Sequence, residues 1–168
     1  MKCHSAADLL TDCLPYAYDQ AAQCPRWKQF LDEVLVYDTQ NVDGTWTTNR
    51  DVVNLMQEAV GYTLTTDTSH HVMFMLLGDG RNGKSTAISI LQHLVGSLAC
   101  NVDFQSIGQP GNYDLAAIPG KRMIFSTESR RNASMAEGLI KELVAGDVMR
   151  AREIREAAFE FTPIAKIW

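Results

Sequence analysis

The sequence predicts an α/β fold, a parallel sheet built around one strand–glycine loop–helix unit and preceded by a small helical subdomain. Three observations carry the prediction. Val72 to Leu77 is an unbroken apolar run without Gly or Pro, the pattern of a strand buried on both faces. It leads into Gly78-Asp79-Gly80-Arg81-Asn82-Gly83-Lys84-Ser85, which satisfies G-x-x-x-x-G-K-[ST]. Beyond Ser85, Ile88, Leu91 and Val95 recur at helical spacing, with Ala87 and Leu94 beside them. The boundaries follow: residues 1–70 are a helical subdomain and residues 71–168 the core of a P-loop NTPase.

The residue types suit a polyphosphate, which needs many donors with little bulk between them. Gly78, Gly80 and Gly83 let the backbone curl so that successive N–H groups face inward as an anion nest. A helix starting near Lys84 adds its positive N-terminal dipole. Lys84 is placed to reach the β- and γ-phosphates and the Ser85 hydroxyl to ligate Mg²⁺. Asn82 falls where a left-handed backbone is expected, which Asn tolerates. The candidate nucleotide-binding set is therefore Gly78, Asp79, Gly80, Arg81, Asn82, Gly83, Lys84, Ser85 and Thr86. The bland alternative is a glycine-rich strand-to-helix turn that binds nothing.

Composition sets the limits. The 168 residues suffice for one domain with a real core, and 46% hydrophobic with 21% charged residues is ordinary for a soluble globular chain. The net charge of −5 carries no global signature of nucleic-acid binding. Its distribution is uneven: residues 1–120 hold 6 basic against 13 acidic residues, residues 121–168 hold 9 against 7. Cys3, Cys13, Cys24 and Cys100 show no C-x-x-C pair. A zinc site from Cys3, Cys13, Cys24 and His4 lacks paired ligands, and buried or idle thiols in a reducing cytosol fit better. MKCHSAADLL lacks the apolar core of a signal peptide and no run reaches transmembrane length, so a soluble, intracellular protein is expected.

In chain order, a short helical pattern spans Ala6 to Leu10, and a loop runs through Pro15. Pro25 opens a helix with Trp27, Phe30, Leu31, Val34 and Leu35 on one face. A turn-rich stretch, Asp38 to Thr48, precedes a second helix capped by Thr48 or Asn49, with Val52, Val53, Met56, Ala59 and Val60 apolar and Gly61 ending or bending it. His70 and His71 read as a solvated strand entrance rather than a metal site. Gly96 is a plausible C-cap for the loop helix. Residues 97–120 are weakly patterned, with turns at Gly108, Pro110, Gly111, Pro119 and Gly120.

Met123 to Phe125 forms a short buried strand that leads to Glu128, the candidate acid for holding Mg²⁺ or polarising water; a solvated glutamate after an edge strand is its bland alternative. Asn132 or Ser134 caps a helix containing Met135, Leu139, Ile140, Leu143 and Val144, closed by Gly146-Asp147. From Glu156 onward the chain alternates as a strand does, with Phe159 and Phe161 on one face. Arg150, Arg152 and Arg155 precede it on an exposed loop or hairpin. They either grip a phosphate backbone or form a solvated turn paired with Glu153 and Glu156.

The pieces CPRWKQFLDEVL, LMQEAVGYTL, MFMLLGDGRNGKST, KRMIFSTES, EGLIKELVAGDVMRAREI and FEFTPIAKIW run in an order that resembles the superfamily III helicases of the phage and plasmid primase–helicase type, which include the poxvirus-like enzymes. The resemblance spans about Leu10 to Trp168. It implies an AAA+-like core in which Gly78 to Ser85 bind ATP and Mg²⁺, Lys84 and Glu128 are catalytic, and Ser85 and Glu128 hold the metal. It also implies a DNA-contacting segment that includes Lys141, Arg150, Arg152 and Arg155. The implied activity is ATP-driven unwinding of DNA in replication by a homo-oligomeric, hexameric ring on single-stranded DNA. The implied partner is a primase domain or protein, with no membrane, and the implied setting is the cytoplasm of a bacterial host, with a phage-encoded gene as one origin.

Thr127 stands where many such motifs carry a first acid, and Ala145 replaces a common glycine. In the family the IAKIW strand continues to a sensor asparagine and later an arginine finger. On that basis the sequence reads as an ATPase core incomplete at its C-terminal end, expected to bind nucleotide better than it hydrolyses it. The alternatives are a non-catalytic nucleotide- or DNA-binding remnant and, less favoured by the 70 residues ahead of the loop, a small P-loop kinase.

Overall fold

A computed structural model describes residues 14, 16–37, 40–105, 107, 109, 113–126 and 136–168. The expected Ala6–Leu10 helix, Pro15, Cys3, His4, Cys13, Gly108, Pro110, Gly111, Thr127, Glu128, Asn132, Ser134 and Met135 lie outside the described residues.

The fold is mixed α/β around a small parallel sheet. β1 (Ala99–Asn101), β2 (Met123–Phe125) and β5 (Lys166–Ile167) lie in the order β1-β2-β5, all parallel, with Ile124 between Cys100 and Ile167. Because side chains alternate along a strand, β2 feeds both faces. Met123 and Phe125 pack with Ile88, Leu91, Val95, Ala59 and Trp168. Ile124 packs with Ile167, Val102, Phe104, Ile118, Ile140 and Leu143 on the other side. All three β2 residues are buried, as expected for a parallel strand covered on both faces.

The first face is covered by α2 (Arg50–Thr63) and α3 (Lys84–Val95). Asn49 caps α2 by accepting from the Val52 N–H at 3.3 Å. Gly61 does not end this helix, which runs on to Thr63. Gly costs about 1 kcal/mol in a helix interior, and burial of the Ala59 and Thr63 face outweighs that local preference. Thr63 returns its hydroxyl to Ala59 O at 2.7 Å and accepts from Trp168 Nε1 at 2.9 Å, so the buried indole N–H is satisfied. α1 (Pro25–Val34) opens on proline and buries Leu31. Arg50 joins it to the start of α2 through Asp32 at 2.7 Å. The intervening stretch pairs Val36 with Thr48 as an antiparallel bridge.

The opposite face is covered by α4 (Glu137–Ala145) and by the antiparallel hairpin of β3 (Met149–Ala151) and β4 (Phe159–Phe161). The N-cap of α4 is Ala136, which offers no side-chain bond. Gly146 closes α4 at φ 74, and a Cβ there would stand 2.8 Å from Thr68 Oγ1. Strand β1 and the buried Val102, Phe104, Ile107 and Ile118 come from the stretch whose sequence is weakly patterned.

The Val72–Leu77 run departs from expectation. It makes a single parallel bridge, Met73 to Ile167, with Phe74 N–H donating to Ile167 O at 2.9 Å. Met75 is 61% and Leu77 81% exposed. The segment lies beyond β5 at the sheet's edge. There only alternate side chains face the core, so an unbroken apolar run did not require burial on both sides.

Lys166 is buried in the middle of this structure, 2% exposed. Its ammonium donates to Thr65 O at 2.8 Å and Ile164 O at 3.1 Å and lies 4.6 Å from the Tyr62 ring centroid. Burial lowers its pKa from the ordinary 10.5 to about 8, with the Arg122 charge acting in the same direction and Asp67 opposing. Between these values the unfolded chain binds a proton that the folded chain has released, so this group makes stability rise with pH across the window. Urea unfolding of wild type and Lys166→Met from about pH 8 to 10.5 is expected to show wild type gaining stability relative to the variant as pH rises. A pH-independent difference would contradict this assignment.

Candidate phosphate-binding loop

The carboxyl ends of β1, β2 and β5 and the Met73–Leu77 segment point the same way, because all are parallel. The glycine loop leaves from that edge and enters α3 at Lys84. Gly83 is the helix N-cap in a left-handed conformation, φ 83, and Gly78 sits at φ 145. Both are positions an L side chain rarely adopts. Gly80 has no positive φ and open space where a Cβ would go. The loop's curl therefore depends on Gly78 and Gly83, and at Gly80 the missing side chain leaves room at the mouth. The non-glycine residue with a left-handed backbone here is Arg81, φ 65, rather than Asn82. Asn82 is engaged through its side chain instead.

The Lys84 ammonium is folded back over the loop. It donates to Gly78 O at 2.7 Å, Asp79 O at 2.8 Å and Asn82 Oδ1 at 2.6 Å. Ser85 and Thr86 stand exposed in the first turn of α3, where the first N–H groups of a helix lack intrahelical acceptors. The structure thus brings Gly78, Asp79, Gly80, Arg81, Asn82, Gly83, Lys84, Ser85 and Thr86 together around one helix N-terminus. That donor set fits a phosphate group in number and in chemistry.

Two packing partners were not foreseen from the motif. A Cβ on Gly83 would meet Phe30 Cε2 and Cζ and Val34 Cγ1, each at 3.0 Å, so α1 lies directly on the loop. The spacing of Phe30 and Val34 marked them as apolar, not as loop supports. A cavity of about 450 Å³, lined by residues from α1, α2 and the Met73–Leu77 segment, opens beside Gly83 and Lys84. A second, of about 200 Å³, is bordered by Phe104, Gln105, Ser126 and Trp168.

Strand β2 delivers Ser126 to the carboxyl edge, where its N–H donates to Trp168 O at 3.1 Å. The candidate acid Glu128 lies outside the described residues. Arg150, Arg152 and Arg155 are exposed on the β3–β4 hairpin, Arg155 at φ 66 in its turn. Among the described residues none of the three makes an ion pair, so the pairing with Glu153 and Glu156 is not formed. Lys141 lies on α4 and is held by Glu137 at 2.8 Å, which keeps the Glu137 carboxyl below its usual range. Cys24 is exposed, and burial pushes the half-buried Cys100 thiol up to about 11. No cluster of metal-ligating side chains occurs among the described residues, and no described helix is long and apolar enough to cross a membrane.

The two loop positions predict opposite sensitivities. Gly83→Ala forces a side chain into a left-handed site already in contact with α1 and is expected to cost about 1–2 kcal/mol of stability. Gly80→Ala is expected to stay within about 0.5 kcal/mol of wild type. Chemical denaturation reads both, and equal effects would contradict this description of the loop.

No curated protein matches the chain. Residues 1–36 match the D5 N-terminal-like family, which links the chain to the D5-like primase–helicases. Residues 76–168, which include the glycine loop from Gly78 onward together with α3, α4, the hairpin and the whole sheet, match a second family over more than half of the chain: the protein belongs to the family of unknown function DUF5906.

Proposed function

We propose that the chain is the ATP-binding core of a replicative DNA helicase of the phage or plasmid primase–helicase type. One observation carries the reading: a flexible ammonium, Lys84, sits over a left-handed glycine turn at the N-terminus of a core helix. The D5 N-terminal-like match supports the helicase context.

In this reading the α3 N–H groups and Lys84 bind the β- and γ-phosphates of ATP. Phosphoryl transfer is mostly positioning and charge stabilisation, so a rigid cradle supplies much of what the reaction needs. Phe30 and Val34 of α1, packed against Gly83, would brace that cradle from the side. The Ser85 hydroxyl and the Glu128 carboxylate would hold Mg²⁺, which neutralises charge on the phosphate oxygens when bound. Glu128 would also orient the attacking water. Arg150, Arg152 and Arg155 are placed on an exposed hairpin and would contact the single-stranded DNA backbone, with Lys141 a weaker contributor because Glu137 already engages it. A homo-oligomeric ring and a primase partner complete the proposal.

Isothermal titration with Mg-ATP is expected to give binding that Lys84→Ala weakens by about 10- to 100-fold, the range for losing a charged hydrogen bond. Binding that is unaffected by Lys84→Ala would refute the loop's assignment. For DNA, fluorescence anisotropy with an oligothymidylate is expected to show binding that falls with salt. Each hairpin arginine replaced by Ala should lower the salt slope by roughly 0.7 for every phosphate that arginine neutralises. An unchanged slope in the triple variant would remove the hairpin from the DNA interface.

A further inference from the structure

Lys84 has three ammonium protons and, in this structure, three acceptors: Gly78 O, Asp79 O and Asn82 Oδ1 at 2.7, 2.8 and 2.6 Å. Its donor capacity is full. A phosphate can reach this ammonium only by displacing one of those oxygens. Two of them are backbone carbonyls, part of the loop's own main chain. The third is on a side chain, Asn82, that is exposed to water and can leave by turning about its own χ angles.

We propose that Asn82 is a resident stand-in for the ligand phosphate, a latch that closes the cradle until a phosphate displaces it; this rests on the phosphate-loop reading above. The other end of the same amide supports it. Asn82 Nδ2 lies 2.0 Å from the point where a Cβ on Gly78 would be, with Cγ at 3.3 Å. The amide therefore spans the loop from the Gly78 backbone to the Lys84 ammonium. The missing side chain at Gly78 makes room for it. The amide oxygen must face Lys84, because an ammonium has no acceptor to offer the Nδ2 group. A neutral amide suits a latch, since it satisfies the ammonium without the permanent ion pair that a carboxylate would make. The apparent affinity for a phosphate ligand is then its intrinsic affinity reduced by the fraction of loops in which Asn82 has swung out.

The test is Mg-ATP titration calorimetry on the 168-residue chain, comparing wild type with Asn82→Ala, Asn82→Ser and Asn82→Asp, with Lys84→Ala as reference and ligand-free thermal unfolding to check folding. Removing the competitor should tighten binding about 3- to 10-fold in Asn82→Ala, the equivalent of one hydrogen bond. Asn82→Ser, too short to span the loop, should move the same way. Asn82→Asp should weaken binding at least about tenfold, most strongly at low salt. Weakening by both Asn82→Ala and Asn82→Ser would mean that the amide merely braces the loop, and unchanged affinity would mean that it does not compete; either result overturns the latch. Wild-type binding indifferent to Lys84→Ala, or no binding by any variant, would instead defeat the phosphate-loop reading, and the latch with it.

Discussion

Burial of β2 on both faces is the constraint on which the structure depends. Three residues, Met123, Ile124 and Phe125, supply side chains to two separate apolar clusters, and their backbone hydrogen-bonds to both neighbouring strands. A polar or β-breaking residue here would disturb both layers at once. The unsatisfied peptide groups of so short a strand are tolerable only because β1 and β5 complete them. Trp168 extends this arrangement. Its N–H donates to Ile124 O at 2.8 Å, its ring lies 4.5 Å from Phe74, and its indole N–H is tied to α2. The last residue of the sequence thus couples the central strand, the edge segment and the first helical layer.

That coupling positions the glycine loop. The loop is short and exposed, so its shape depends on the elements beneath and beside it. It is held from below by α3, whose Ala87, Ile88, Leu91 and Val95 are buried, and from the side by Phe30 and Val34 of α1. A phosphate cradle needs fixed N–H directions, because donors that reorganise on binding give up much of their advantage. Here the fixed part is the helix N-terminus and the left-handed Gly83. The movable part is the side chains of Lys84 and Asn82. The separation suits the nucleotide site proposed above.

The charges elsewhere are arranged unevenly. Lys166 is buried and supported by carbonyls, a cation serving structure at some electrostatic cost. The arginines of the β3–β4 hairpin are solvated and lack ion pairs among the described residues, although three glutamates accompany them in the same stretch. Sequence position alone did not separate these roles, since Lys166 and the arginines all fall in the basic last quarter of the chain.

The sequence by itself determined the local features whose causes are local. The glycine spacing fixed the loop and the start of α3; Pro25 and Asn49 fixed the starts of α1 and α2; Gly96 and Gly146 fixed helix ends; Phe159 and Phe161 marked a strand. Tertiary structure decided the rest. It placed Val72–Leu77 at a sheet edge, which no apolar run can report, since edge and centre differ only in what lies alongside. It made a strand of Ala99–Asn101, whose ladder partners lie more than twenty residues away. It carried α2 through Gly61, moved the left-handed turn from Asn82 to Arg81 and brought α1 onto Gly83. In each case the deciding energy came from packing between segments distant in the chain. A motif specifies which groups can bind a phosphate, but only packing fixes the directions in which they point.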